Sequence, residues 1–130
     1  MTEKSVPNRR QFQRYAVTDS VFLAFRPRFD RLGMLKDISG GGVAFEYTVS
    51  DTPQPLETSE IEVEVFSHKT FKLSRIPCTI VYDTRAEAGP SMTGFETRRC
   101  GLQFGKLSDL QAAQLKVLMD THIGDRIPVM

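Results

Sequence analysis

Met34-Leu35-Lys36-Asp37-Ile38-Ser39-Gly40-Gly41-Gly42-Val43-Ala44-Phe45-Glu46-Tyr47-Thr48 is the stretch on which the fold turns. Apolar and β-branched residues crowd both ends, and four small residues separate them. Three successive glycines are a poor strand interior, because each loses more backbone entropy on folding than any other residue. Met34 to Ile38 and Val43 to Thr48 therefore read as two strands. Between them lies a tight turn, a bulge or a place where something comes close to the main chain.

The same punctuation continues on both sides. Upstream, Val17 to Phe25 reads as a strand stopped by Arg26-Pro27, since proline brings no ladder donor, and Arg28 to Gly33 is a loop. Downstream, the prolines of Asp51-Thr52-Pro53-Gln54-Pro55 make a loop. Ile61, Val63 and Val65 then alternate with Glu62 and Glu64, which predicts aliphatics on one face and carboxylates in water. Ser67 to Thr70 turns the chain into a strand from Phe71 to Tyr82, where Ser74-Arg75 and Pro77 predict an edge position or a bulge. Ala86 to Gly94 is a loop. Thr97 to Phe104 is the last strand of the series, with Cys100, Leu102 and Phe104 on one face.

Ser108 then reads as the N-cap of a helix over 108–123. Leu110, Ala113 or Gln114, Leu115, Leu118, Met119 and His122 follow one stripe, so the helix should close an open end of the sheet. Gly124 ends it, and 124–130 is expected to be a loose tail. Six or so short strands followed by one helix point to a mainly β domain, an antiparallel barrel or a strongly bent sheet. The pattern alone does not choose a barrel over a sandwich.

With 130 residues, 40% of them hydrophobic and 25% charged, the chain suits one soluble domain. No apolar run approaches the ~18 residues of a spanning helix, and no apolar segment follows the charged N-terminus, so a cytoplasmic protein without membrane insertion is expected. Cys78 and Cys100 lack CxxC spacing and a histidine neighbour, which speaks for buried thiols rather than zinc ligands or a disulfide. Charge is unevenly placed. Residues 1 to 31 hold seven Lys or Arg against three acids, whereas 51 to 64 hold five acids and no base. A local basic end on a nearly neutral domain suits a small anion better than a long polyanion.

The basic end contains Asn8-Arg9-Arg10-Gln11-Phe12-Gln13-Arg14. An arginine cluster alone is commonly a solvated stretch, and Asp37-Ile38-Ser39-Gly40-Gly41-Gly42 alone is commonly a turn. Together, RxxxR followed by DxSxxG resembles the signature of the PilZ family, whose members bind the bacterial second messenger cyclic di-GMP. The resemblance covers roughly residues 8 to 123, and Cys100-Gly101-Leu102-Gln103-Phe104 resembles the family's final strand. It implies a six-stranded antiparallel β-barrel with a C-terminal α-helix: tail 1–7, arginine arm 8–15, barrel 17–104, helix 108–123, tail 124–130.

The resemblance also implies a binding site at Arg10, Arg14, Asp37, Ser39 and Gly42. The chemistry is apt. Arginine forks match phosphate oxygens and the O6/N7 edge of guanine, and an acceptor-only carboxylate suits guanine's donor edge. Ser39 would donate or accept at the same rim, and Gly42 would admit the base or ribose close to the backbone. Arg9, a third guanidinium, suits a stacked pair of ligands and predicts two per chain. With the motif beginning at residue 9, output is expected to pass through a partner protein, a dimer or another chain, by an arm that is disordered without ligand and folds over it.

Two rival readings differ in class. One is a PilZ-like interaction module that binds no nucleotide, which the intact motifs argue against. The other is a small nucleic-acid-binding barrel using Phe22, Phe25 and Phe29 as stacking surfaces, although these look more like core. No enzyme and no cofactor is expected. His68 and His122 lack partners at motif spacing, and Gly40 to Gly42 is not followed by the Lys-Ser/Thr of a phosphate loop.

Overall fold

The computed structural model describes residues 13–17, 21–28, 31–50, 58–67, 72–86 and 95–126. Its strands are β1 (Tyr15–Val17), β2 (Val21–Phe25), β3 (Leu32–Ile38), β4 (Gly42–Ser50), β5 (Glu60–Ser67), β6 (Lys72–Arg85), β7 (Phe95–Phe104) and β8 (Ile123–Arg126). One helix, α1 (Asp109–His122), precedes β8. Every strand pairing is antiparallel. The order β2-β5-β6-β7-β4-β3 closes on itself through β2–β3, which makes a six-stranded barrel. Closure leaves no free edge among these six.

The strand expected over Val17 to Phe25 is in fact two. β1 and β2 lie on the same edge of β3, with Tyr15 opposite Ile38 and Ala16 opposite Asp37, then Phe22 opposite Met34. Residues 124–126, expected in the tail, are instead part of a strand. β8 pairs with the outer edge of β1, Val17 facing Ile123 and Tyr15 facing Arg126, and Gly124 lies inside this strand rather than ending the helix.

Alternate residues of the six strands fill the barrel: Val21, Leu23 and Phe25; Leu35 and Ile38; Val43, Phe45 and Tyr47; Val63 and Val65; Leu73, Ile76 and Cys78; Cys100 and Leu102. α1 closes one mouth with Leu115 and Leu118 against Ile38, Val43, Val65, Leu73 and Ile76. Its start is the expected one. The Gln111 amide donates to Ser108 Oγ at 3.1 Å and the Ser108 amide to Gln111 Oε1 at 2.9 Å, a reciprocal capping box. The buried stripe is narrower than expected. Leu110 is 67% exposed, and Ala113 is also on the solvent side, because the apolar contact of the helix with the barrel runs through Leu115, Leu118 and Met119. The opposite mouth is polar: Tyr47 donates its hydroxyl proton to Asp83, which also accepts from Arg98 Nε at 2.9 Å.

Glu64 departs most from expectation. Glu60 and Glu62 are exposed, but Glu64 is 4% exposed. β5 and β6 are out of step here. Val63 faces Ile76 and Val65 faces Leu73, so Glu64 alone faces both Ser74 and Arg75. That is the anticipated bulge, in an interior strand rather than at an edge. Ser74 Oγ donates to Glu64 Oε1 at 2.8 Å, while the Arg75 amide at 3.1 Å and Arg26 Nη1 at 3.0 Å donate to Oε2. Arg75 takes a left-handed φ of 54° to present that amide. A carboxylate so buried survives as an ion only with such partners.

Candidate functional site

Asp37 reaches the outer wall of the barrel because β3 is bulged at Lys36. Leu35 faces Phe45 and Asp37 faces Ala44, two steps on β3 against one on β4. Without the extra residue, Asp37 would share the inward face of Leu35. With it, Leu35 and Ile38 both enter the core and Asp37 turns out beside Ala44.

Out there the carboxylate is still covered, its side chain only 6% accessible, and two guanidiniums compensate it. Arg14 Nη2 and Arg99 Nη2 each donate to Asp37 Oδ2 at 2.6 Å. Arg99 Nη1 also donates to Glu46 Oε2 at 3.3 Å. Arg14 immediately precedes β1, whose pairing of Ala16 with Asp37 carries the arm past the carboxylate. The structure thus joins Arg14 and Asp37, 23 residues apart in sequence.

Ser39 and Gly42 sit in the turn that follows. Ser39 Oγ accepts from the amides of Gly41 and Gly42, each at 3.1 Å, and the Ser39 amide donates to the Gly42 carbonyl at 2.9 Å. The hydroxyl therefore braces the glycine turn. Gly42 is needed there whatever binds: a Cβ would stand 2.1 Å from the Leu102 carbonyl oxygen. Arg9, Arg10 and Phe12 lie outside the described residues, as do Phe29 and His68. Phe25 is core, and Phe22 packs on Phe66 with ring centroids 5.7 Å apart.

Arg99 and Tyr82 escaped the sequence reading. Placing Cys100, Leu102 and Phe104 on one face of β7 leaves Arg99 and Gly101 on the other, which was a usable signal. The sequence did not show that β4 alone separates β7 from β3, so that Arg99 and Asp37 meet. Tyr82 lies opposite Gly101, its ring occupying the space a Cβ there would need. Burial alone would push the Arg99 guanidinium down. Its hydrogen bond with Tyr82 and the nearby Asp37 and Glu46 carboxylates outweigh that and raise it, so Arg99 is a fixed cation. The wall thus presents two arginines and a tyrosine around two neutralised carboxylates, Asp37 and Glu46.

Among the described residues no cluster of His, Cys, Asp or Glu could hold a metal ion. No described helix is long and apolar enough to cross a membrane.

A closed six-stranded barrel plugged by a C-terminal helix, with Arg14 paired to an outward carboxylate, defines a distinct class of small β domain. Residues 8–120 match the PilZ domain family, and the chain belongs to it. Solved structures agree in fold. The PilZ domain of YcgR from Escherichia coli, determined with c-di-GMP, superposes with a TM-score of 0.66 at 15% identity, over 87% of this chain and 91% of that one. YcgR from Escherichia coli in complex with c-di-GMP gives 0.62 at 15% identity, over 87% of this chain and 45% of that one. The K. pneumonia MrkH–c-di-GMP complex gives 0.58 at 17% identity, over 88% and 53%. The chain thus spans about half of the two longer proteins. Comparison with curated proteins gives no significant match.

Proposed function

We propose that this chain is a cyclic di-GMP receptor, with Arg9, Arg10, Arg14, Asp37, Ser39 and Gly42 as its ligand-binding set. The carrying observation is the Arg14–Asp37 contact on the outer barrel wall. It brings the two halves of the RxxxR and DxSxxG signature together, in a family three of whose structural neighbours were solved with that ligand. In the complex Arg10 and Arg14 neutralise phosphates and Asp37 takes a guanine donor edge. Arg9 supports a stacked ligand pair, two per chain.

The role is that of a receptor rather than an enzyme. The wall offers cations paired with Asp37 and Glu46, two carboxylates they already neutralise, rather than an acid and base pair poised for proton transfer. The response begins from Arg14, held on Asp37 just before β1. Ligand draws residues 8–14 over the wall and changes what a downstream protein partner meets, in the cytoplasm. Segment 8–123 acts as the domain.

Thermal unfolding with cyclic di-GMP, GMP and single-stranded RNA at two salt concentrations tests this. A ligand at a hundred times its Kd adds about 2.7 kcal/mol of stability, so cyclic di-GMP should raise the melting temperature saturably and with weak salt dependence. No shift at millimolar ligand would favour an interaction module that binds no nucleotide. RNA stabilisation that falls steeply with salt would favour a nucleic-acid barrel.

A further inference from the structure

The two arginines on Asp37 are not equivalent. Arg14 projects from the chain just before a three-residue strand, its side chain is 49% accessible, and Asp37 is its ion-pair partner. Arg99 rises from the middle of β7, between β4 and β6, and is held at once by Asp37, Glu46 and Tyr82. One contact is easily exchanged and the other is built in.

We infer that Arg99 is a positioning residue: it keeps the buried Asp37 compensated while Arg14 is handed from Asp37 to the ligand. This rests on the reading of the wall as a cyclic di-GMP site and names a residue outside its signature. The physical reason is the cost of an uncompensated buried charge. If Arg14 were the only cation on Asp37, moving it to a phosphate would leave a carboxylate that is almost wholly shielded from water with only the neutral donor edge of guanine, a strongly unfavourable step. With Arg99 in place, Asp37 keeps a charge-assisted hydrogen bond throughout, and Arg14 leaves at little cost. The ion pair between Arg14 and Asp37 is then the ligand-free latch of the arm. Arg99 sets how readily it opens.

Two measurements on the full chain test this. In calorimetric titration with cyclic di-GMP, Arg99→Gln should weaken binding about tenfold or more, and Arg99→Lys, which restores the charge, should recover most of it. Unchanged affinity in Arg99→Gln would overturn the inference. So would equal losses in both variants, which would make Arg99 a direct, guanidinium-specific ligand contact. The second measurement needs no ligand. With Arg99 gone, Arg14 alone balances Asp37, so the Arg14 Nη–H protons, one of which is donated to Asp37, should exchange more slowly in Arg99→Gln than in the wild type. An equal or faster rate would contradict the inference even if wild-type protein bound no nucleotide, whereas absence of wild-type binding with slowed exchange would count only against the receptor reading.

Discussion

Gly42 passes so close to Leu102 that a Cβ at 42 would lie 2.1 Å from the Leu102 carbonyl oxygen. The contact is backbone to backbone, at the pairing of Gly42 with Gln103 that begins the β4–β7 ladder. Neither strand can yield without disturbing the barrel wall. Gly42→Ala should therefore lower folding stability by about 2 kcal/mol or more, measured by urea unfolding without ligand. Full stability in this variant would show that the wall can relax there. The substitution is accordingly a poor probe of ligand contact, because it acts on the scaffold first.

Glu64 gives the barrel an acid-sensitive point. Burial by itself pushes its carboxyl up, but hydrogen bonds from Ser74, the Arg75 amide and Arg26, with the Arg26 charge, outweigh this and lower it. A carboxyl whose folded pKa lies below its unfolded value stabilises fully above the unfolded value, near 4.5, and loses that contribution as pH falls through the folded one. Wild-type stability should therefore decline with acid below about pH 4.5. Glu64→Gln should be less stable at neutral pH by about 3 kcal/mol, with a flatter acid limb. Parallel pH profiles for the two proteins would remove Glu64 from this role.

The thiols should be silent in the folded protein. Cys78 is 4% exposed and Cys100 fully buried, both are free, and burial is the main force pushing each up to about 12. At pH 8 an aromatic disulfide reagent should label neither cysteine in native buffer and both at once in denaturant. Rapid native labelling would mean that the barrel opens locally at β6 or β7.

The helix cap should matter for the bulge as well as for the helix. Gln111 caps Ser108 and also donates through Nε2 to the carbonyls of Ser74 at 3.0 Å and Arg75 at 3.1 Å. Ser108→Ala should cost about 1 kcal/mol, and Gln111→Ala should cost more because it frees those carbonyls too. Equal losses in denaturant unfolding would show that the bulge contacts contribute nothing.

Alternation, glycine and proline marked the barrel strands, and Ser108 marked the start of the helix, because these signals are local. The misses have non-local causes. Nothing in Met34 to Ile38 announces the bulge at Lys36, which has neither glycine nor proline, so strict alternation would bury Asp37 inside. Glu64 reads as a solvent residue until β6 supplies two residues opposite it. β8 looks like tail because its strand character depends on an unpaired edge of β1. At the site, the spacing of Arg14, Asp37, Ser39 and Gly42 was legible from a resemblance, while Arg99 needed the strand order that sets β7 one strand away from β3.

Whether this chain is a cyclic di-GMP receptor is decided by isothermal calorimetry of purified protein with cyclic di-GMP, beside Arg10→Ala and Arg14→Ala and with GMP as control. Loss of one charge-assisted contact costs roughly 1.5 to 3 kcal/mol, about ten to a hundred and fifty fold in affinity. Wild-type binding should be saturable near two ligands per chain and weakened on that scale by each substitution. Absence of heat at millimolar ligand, or equal affinity in wild type and both variants, would contradict the receptor role.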